Sequence, residues 1–333
     1  MNSIPAYTRR NGLSGFTLIE IMISMVLSLI LLGGVLQIYS STRTSYRVQD
    51  SVSQMQEAGR FTIETMSRDI RMADFWGCAN GIGKVINGLD PAGGAGYIPF
   101  NNGGLAGTEG AAGAPDTLVL RGGFGASLGV EAPFGPQSSA NVKIAVNNGF
   151  AVGDILMVSD CTAADIFQIT SGNPDGTGTL VHNTGVSGVT PGNLSPVVCT
   201  GATDAHCLSK VYDKNASVIK PQQVTYSVGL GASGEPALLR NGQELIDGVE
   251  DLQILYGEDT DASGAANRYV NAGDVGNMGA VVSIRIALVT RSAQINVTNA
   301  GQAYSVMGVN KVSADTRLRQ VYTATVGIRN RLP

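Results

Sequence analysis

Glu20 is the first residue whose chemistry stands out, because it is an acid inside an otherwise apolar run from Phe16 to Leu36. The run has 21 residues, and at about 1.5 Å per residue it can cross a hydrocarbon core roughly 30 Å thick. An ionised side chain at that depth costs on the order of 3 kcal/mol or more unless it is compensated. The position therefore predicts a functional carboxylate whose partner is a cation.

The segment before the run, residues 1–15, contains Arg9 and Arg10, has no acid and ends in Gly15. An ordinary secretory signal is cut after its apolar run, near a triplet of small residues, and no such triplet follows Leu36. The two arginines favour a cytoplasmic amino terminus, which leaves the rest of the chain on the far side of the membrane. Residues 1–15 are therefore predicted to be a leader.

The basic leader, the Gly15-Phe16 junction and the acid at Glu20 together resemble the class III signal of type IV pilins and pseudopilins. The resemblance implies cleavage between Gly15 and Phe16 by a membrane prepilin peptidase, followed by N-methylation of Phe16. A protonated Phe16 amine, on the same chain or on a neighbouring subunit, would then pair with Glu20 and set the assembly register. The alternative is a simple signal anchor whose glutamate snorkels or bends the lipid.

The sequence keeps helical character from Gln37 to about Asp74, with no proline between Phe16 and Pro91. Apolar or small residues recur every three or four positions, as on one face of an amphipathic helix; they are Val48, Val52, Met55, Gly59, Ile63, Met66 and Ile70. The pattern predicts a long helix whose outer half packs on the domain that follows, with Gly33-Gly34 as a weak point. An unrelated stalk or a coiled coil is the alternative.

Beyond Cys78 the pattern changes to short, β-branched segments bounded by turn formers, which predicts a body made mainly of antiparallel sheet. The expected strands are 117–121, 142–146, 154–159, 165–170, 222–230, 249–256, 280–291 and 320–328. The glycine-rich stretch 90–115 is predicted to be a flexible surface loop. The fold class is α+β, divided into a leader (1–15), a transmembrane helix (16–38), an amphipathic continuation (39–76) and a β-rich extracytoplasmic domain (77–333).

Several patterns beyond the membrane segment narrow the resemblance to PilW-type minor pilins, and more weakly to the J-type pseudopilins of type II secretion. They are residues 68–73 leading to Trp76-Gly77-Cys78, the segment 154–161, the segment 267–270 and the end 327–331. The resemblance implies a pilin spine helix packed on a sheet domain.

Four cysteines, Cys78, Cys161, Cys199 and Cys207, would face an oxidising compartment, and their even number predicts two disulfides. Three pairings are possible; we favour a short Cys199–Cys207 loop, which leaves Cys78 to bond with Cys161. A zinc site is the weaker alternative, because His206 beside Cys207 fits no standard spacing. His182 is predicted to lie on a surface loop.

A calcium loop is a further hypothesis, because oxygen-bearing side chains alternate at Asp259, Asp261 and Ser263 before a glycine, with Asn267 after it. The glutamate that should close such a loop is replaced by Val270. A polar hairpin loop is the favoured alternative. No other cofactor is expected.

Charge and motif content argue against two classes of function, nucleic-acid binding and catalysis. Removal of Arg9 and Arg10 would leave 20 basic against 26 acidic residues, a net charge of −6, which disfavours nucleic-acid binding. No nucleophile elbow, phosphate loop or metalloprotease motif is present, so no enzyme is predicted.

The resemblance implies a minor pilin that joins a priming or tip complex, initiates type IV pilus assembly, and supports adhesion and twitching motility. Its partners would be other minor pilins, the major pilin, the prepilin peptidase and the inner-membrane assembly platform. It would span the inner membrane once and later reach the pilus. The alternatives are a type II secretion pseudopilin and a membrane-anchored adhesive binding module.

Overall fold

The computed structural model describes residues 15–79, 81–135, 139–184, 188–194 and 207–332. The chain divides into two compact units, Met1–Val52 and Ser53–Pro333. Helix α1 (Leu18–Met72) has 55 residues and runs unbroken through Gly33-Gly34, which the sequence marked as a weak point. No proline interrupts it, so every backbone amide beyond the first turn keeps its i−4 acceptor.

The part of α1 in the second unit is amphipathic in the predicted register. Met55, Met66 and Ile70 are buried, and Ile63 is partly buried against the apolar cluster that contains Met66 and Ile70. Gly59 is also buried, and the ring of Tyr322 occupies the space that a Cβ at Gly59 would need. From Met55 onward, the predicted stripe is therefore the face that contacts the sheet domain.

The regular secondary structure in the rest of the described chain is mainly strand. In chain order the strands are β1 (Val85–Asn87), β2 (Leu105–Thr108), β3 (Thr117–Gly123), β4 (Leu128–Gly129), β5 (Asn141–Lys143), β6 (Ile155–Ser159), β7 (Ala164–Gln168), β8 (Thr179–Val181), β9 (Ser217–Ile219), β10 (Pro221–Leu230), β11 (Pro236–Arg240), β12 (Gln243–Asp247), β13 (Val249–Glu258), β14 (Arg268–Val270), β15 (Val281–Arg291), β16 (Ala303–Val306), β17 (Val309–Val312) and β18 (Arg319–Gly327). A short helix, α2 (Pro174–Thr177), precedes β8.

Three larger sheets organise these strands. Their orders are β1-β7-β6-β9-β4, β12-β11-β10-β3-β2 and β14-β13-β15-β18, and two strand pairs, β5-β8 and β16-β17, stand apart. Only β1 with β7 pairs in parallel among the described strands. The fold is therefore α+β with a mainly antiparallel body, as the sequence predicts.

The main core joins the spine helix to two of the sheets. Met66 and Ile70 of α1 pack with Leu120 of β3, Ile254 of β13 and Ile286 of β15. Alternation along β15 places Ile284, Ile286 and Leu288 on this core, as predicted. The opposite face of β15 is covered as well, because Ala287 and Val289 are buried against Val306 of the β16-β17 hairpin.

The prediction of a flexible surface loop over 90–115 is wrong for part of that stretch. Strand β2 lies within it and pairs with β3, and the side chains of Phe100 and Leu105 are fully buried. The high glycine content suggests a solvated linker. These glycines instead lie in turns between buried residues, which is why the burial of Phe100 and Leu105 was not predicted. Gly103, for example, adopts a φ of 95°, which favours glycine.

Candidate functional site

The amino-terminal site is built around a reciprocal cap on helix α1. The backbone N–H and the hydroxyl of Thr17 each donate to Glu20 Oε2 at 2.9 Å, and the Glu20 N–H donates to Thr17 Oγ1 at 3.3 Å. This is a capping box, in which a threonine and a glutamate three residues later satisfy donors that the first helical turn leaves unpaired. The geometry holds the Glu20 carboxylate beside the backbone of Thr17, one residue after Phe16.

The apolar residues around Glu20 are exposed along the helix. The side chain of Phe16 is 85% exposed, and those of the following apolar residues through Ile38 are also exposed. By length and composition α1 can cross a membrane, with a mean hydropathy of 2.4 over its most apolar 18 residues. Among the residues near Glu20 that the structure describes, hydroxyl and amide groups supply its hydrogen bonds, and neither carries a positive charge.

The far end of the spine helix is fixed by Asp74, which sequence reasoning missed. Asp74 takes a left-handed conformation with φ 62° and ends the helix. Its Oδ1 accepts hydrogen bonds from Trp76 Nε1 at 2.7 Å and from the Gly104 N–H at 2.9 Å. Its Oδ2 accepts from Arg331 Nε at 2.6 Å. One carboxylate thus joins the spine to the start of β2 and to the end of the chain.

Two neighbours complete this junction. Asn330 Nδ2 donates to the carbonyl of Ala73 at 3.0 Å, which satisfies an acceptor at the helix end. Arg331 Nη1 donates to the carbonyls of Met278 and Val281 at 2.6 and 2.9 Å. The guanidinium is buried, so each of its bonds replaces one that it would make to water.

A second clamp lies one turn earlier on α1. Asp69 Oδ2 accepts from the hydroxyl of Tyr226 at 2.6 Å and from Arg240 at 2.9 and 3.0 Å. Burial and the hydrogen bond to Asp69 raise the pKa of the Tyr226 hydroxyl, so it remains a donor across the physiological pH range. The spine is therefore held to the sheet by two polar clamps as well as by the apolar stripe.

A disulfide between Cys78 and Cys161, with a Cα–Cα distance of 4.3 Å, lies just past this junction. This bond belongs to the connectivity that the sequence analysis favours among the three possible ones. Cys207 is disulfide-bonded as well. Cys199 and His206 lie outside the described residues.

Comparison with protein-family models gives two matches. Residues 10–36 match the prokaryotic N-terminal methylation motif, and residues 223–330 match type IV pilus-assembly protein W. These two matches support a PilW-type, prepilin-like pilin. The first match contains Phe16 and Glu20, and the second contains Tyr226, Arg240 and Asn330. No curated protein and no solved structure matches the chain.

The pilin assignment fixes the general class of function. Both matched families are structural rather than enzymatic, and together they indicate a minor pilin related to type IV pili. The apolar amino-terminal helix agrees with a membrane-anchored pilin. Membership of a pilin family also implies contact with other pilus components.

In the loop of the calcium hypothesis, side-chain oxygens already accept hydrogen bonds from backbone N–H groups. Asp259 accepts from the backbone N–H groups of Ser263 at 3.1 Å and Gly264 at 2.7 Å. Asn267 Oδ1 accepts from the Thr260 N–H at 2.7 Å. In the part of the pilin that the structure describes, no three His, Cys, Asp or Glu side chains are grouped to hold a metal ion. The bonds are those of a polar hairpin loop, and the calcium site stays a prediction.

The prediction that His182 lies on a surface loop is wrong. Its side chain is fully buried, and its ring lies 4.6 Å from that of Phe167 between centroids. His182 directly follows strand β8. That strand is too short for its pattern of apolar and polar residues to indicate whether the next residue is buried.

Proposed function

We propose that this pilin is cleaved between Gly15 and Phe16, N-methylated on Phe16, and placed with other minor pilins in a priming complex that initiates type IV pilus assembly. Through that complex it supports adhesion and twitching motility. The observation that carries the proposal is the capping box, which holds a carboxylate on an exposed apolar helix one turn from the expected cleavage site.

The capping box leaves the charge of Glu20 uncompensated. Hydroxyl and amide donors reduce the desolvation cost of a carboxylate, but only a cation neutralises it. Cleavage before Phe16 would create such a cation, because a free α-amino group is mostly protonated at neutral pH. A neighbouring subunit that brings its own Phe16 amine to Glu20 would thereby be fixed in one axial register.

The clamps at the other end of the helix support the same function. An assembly subunit must transmit force from the helix that packs in the filament to the domain outside it. The Asp69–Arg240 and Asp74–Arg331 pairs, which follow the buried stripe along the helix, tie the spine to the sheet domain at two points. We propose that the assembly platform acts on the helix and that these pairs carry the domain with it.

The test is the amount of sheared surface pili from a deletion strain complemented with wild type, with Glu20→Ala or with Glu57→Ala. Glu57 is an exposed glutamate on the same helix but beyond the apolar run, so it is the matched control. We expect pili to vanish on deletion, to return with wild type and Glu57→Ala, and to stay absent with Glu20→Ala at equal protein levels.

Normal piliation in the deletion strain would contradict the priming role. Loss of secreted enzymes in that strain would instead favour a type II secretion pseudopilin. Binding of a surface ligand by the pilin, with normal piliation, would favour the adhesive module.

A further inference from the structure

Two long segments of the second unit leave the sheet domain and return to it at the point of departure. Strand β3 ends at Gly123 and β10 begins at Pro221, and these two residues are register partners in the antiparallel pair. Residues 124–220 therefore form an excursion from what would otherwise be a hairpin, since register partners in adjacent strands lie about 5 Å apart.

Residues 75–103 form a second excursion of the same kind. The Gly104 N–H donates to Asp74 Oδ1 at 2.9 Å, and the Asp74 N–H donates to the Arg121 carbonyl at 2.8 Å. The Arg121 N–H in turn donates to the Gly104 carbonyl at 2.7 Å. The end of α1, the start of β2 and the end of β3 thus meet at one place, and both excursions leave from there.

The buried apolar residues separate along the same boundary. We call the described residues within 75–103 and 124–220 the inserted lobe, and residues 53–74, 104–123 and 221–332 the scaffold lobe. Every fully buried member of the main core belongs to the scaffold lobe. The buried members of two other cores all belong to the inserted lobe: Trp76, Ala79, Val85, Leu89, Phe100, Met157, Ala164, Ile166 and Ile219 in one, and Val130, Val142, Ile144, Leu156, Val158, Phe167, Ile169, Leu180, Leu208, Tyr212, Ala216 and Val218 in the other.

The covalent and ionic links follow the same division. The Cys78–Cys161 disulfide joins one excursion to the other and so lies wholly within the inserted lobe. The Lys210–Asp160 and Lys220–Asp154 pairs also lie in that lobe. The pairs that hold the spine, Arg240–Asp69 and Arg331–Asp74, lie in the scaffold lobe.

We propose that the inserted lobe is an independently folding unit that is dispensable for pilus assembly, and that the scaffold lobe alone couples the spine to the body of the pilin. The match to type IV pilus-assembly protein W covers residues 223–330, all of them in the scaffold lobe. The dispensability rests on the proposed assembly function, whereas the independent folding does not.

The experiment uses the full-length pilin with one core truncation in each lobe. Phe167→Ala removes a fully buried ring from the inserted lobe, and Leu288→Ala is the matched truncation in the scaffold lobe. Amide hydrogen exchange of the protein in detergent micelles reads the two lobes separately. The same variants, expressed in the deletion strain, are scored for sheared pili.

We expect Phe167→Ala to lower protection in β6, β7 and β9 on the order of a hundredfold while β13 and β15 keep theirs, because a truncated core opens its own cooperative unit. Pili should remain at the wild-type level. Leu288→Ala should lower protection in β13 and β15 and reduce pili. The double variant Phe167→Ala/Leu156→Ala should lower protection in β6, β7 and β9 further, and β13 and β15 should still keep theirs.

Equal loss of protection in both lobes with Phe167→Ala, or unchanged protection in the inserted lobe with the double variant, would overturn independent folding. Loss of pili with Phe167→Ala at wild-type protein levels would overturn dispensability. If the deletion strain itself is normally piliated, the assembly function fails, and hydrogen exchange still decides whether the lobe folds on its own.

Discussion

Removal of the Asp74 carboxylate should break three hydrogen bonds at the end of the spine helix at once. Its two oxygens accept from Trp76, Gly104 and Arg331 at 2.6–2.9 Å. Asp74→Gly is the cleanest change, since glycine adopts the left-handed conformation of residue 74 without strain. Its effect therefore reports the lost carboxylate rather than the backbone.

The expected magnitude follows from burial. The Arg331 side chain is 7% exposed, and removing the partner of a buried ion costs about 3–5 kcal/mol. Arg331 keeps two backbone carbonyls as acceptors, so we expect the lower end, about 3 kcal/mol. Asp74→Ala should lose about 1–2 kcal/mol more, because its Cβ is strained at positive φ. Asp74→Asn should lose less than Asp74→Gly, because an oxygen remains for Trp76 and Gly104.

The assay is urea unfolding of the full-length pilin in detergent micelles, followed by pulsed amide hydrogen exchange of strands β13 and β15. These strands form the core of the scaffold lobe together with the end of α1, so their signal reports the unit that the Asp74 junction holds together. The midpoint should fall without a change in the m-value. A loss below about 1 kcal/mol for Asp74→Gly, the range of an exposed ion pair, would refute the reasoning that this junction depends on a buried charge.

Three further predictions concern other parts of the pilin. Gly59→Ala should lower Tm, because its Cβ would overlap the Tyr322 ring, whereas Gly34→Ala, with nothing within 4 Å, should leave it unchanged or raise it. The hydrogen bond from Arg319 lowers the pKa of Asp315 to about 2, so Asp315 stabilises the fold above its unfolded pKa of about 4, and this stabilisation is lost as the pH falls through about 2. Asp315→Asn should be less stable than wild type at pH 7 by urea unfolding, and the difference should shrink as the pH falls below about 4 and vanish only below about 2. The calcium hypothesis predicts that Ca²⁺ raises Tm, that EGTA reverses the rise, and that Asp259→Asn abolishes it.

The long strands of the sheet domain could be predicted from the sequence, because core-facing apolar residues alternate with outward-facing residues along them. Each strand expected from the pattern has a counterpart, and β15 shows why, since its alternate isoleucines face the core. Strands β11 and β12 were missed although Asn241-Gly242, a strong hairpin signal, lies between them. Both turn residues have positive φ, 54° and 76°, as a type I′ turn requires.

The clamps on the spine could not be predicted, because their partners are far apart in the chain. Asp69 meets Tyr226 and Arg240, and Asp74 meets Arg331, across separations that only the folded topology closes. The local pattern identified Glu20, whose partner Thr17 is three residues away. The inserted lobe could not be predicted either, because it is recognised only from the register of the two strands that it separates, and that register is known only from the structure.

The most direct test of the account is mass spectrometry of the amino-terminal peptide of this pilin, recovered from sheared pili. We predict that the peptide begins at Phe16 and carries a methyl group on its α-amine. A peptide that begins at Met1 or after Leu36, or absence of the chain from pili purified from a strain that expresses it, would contradict the claim that the protein is a processed subunit of the filament.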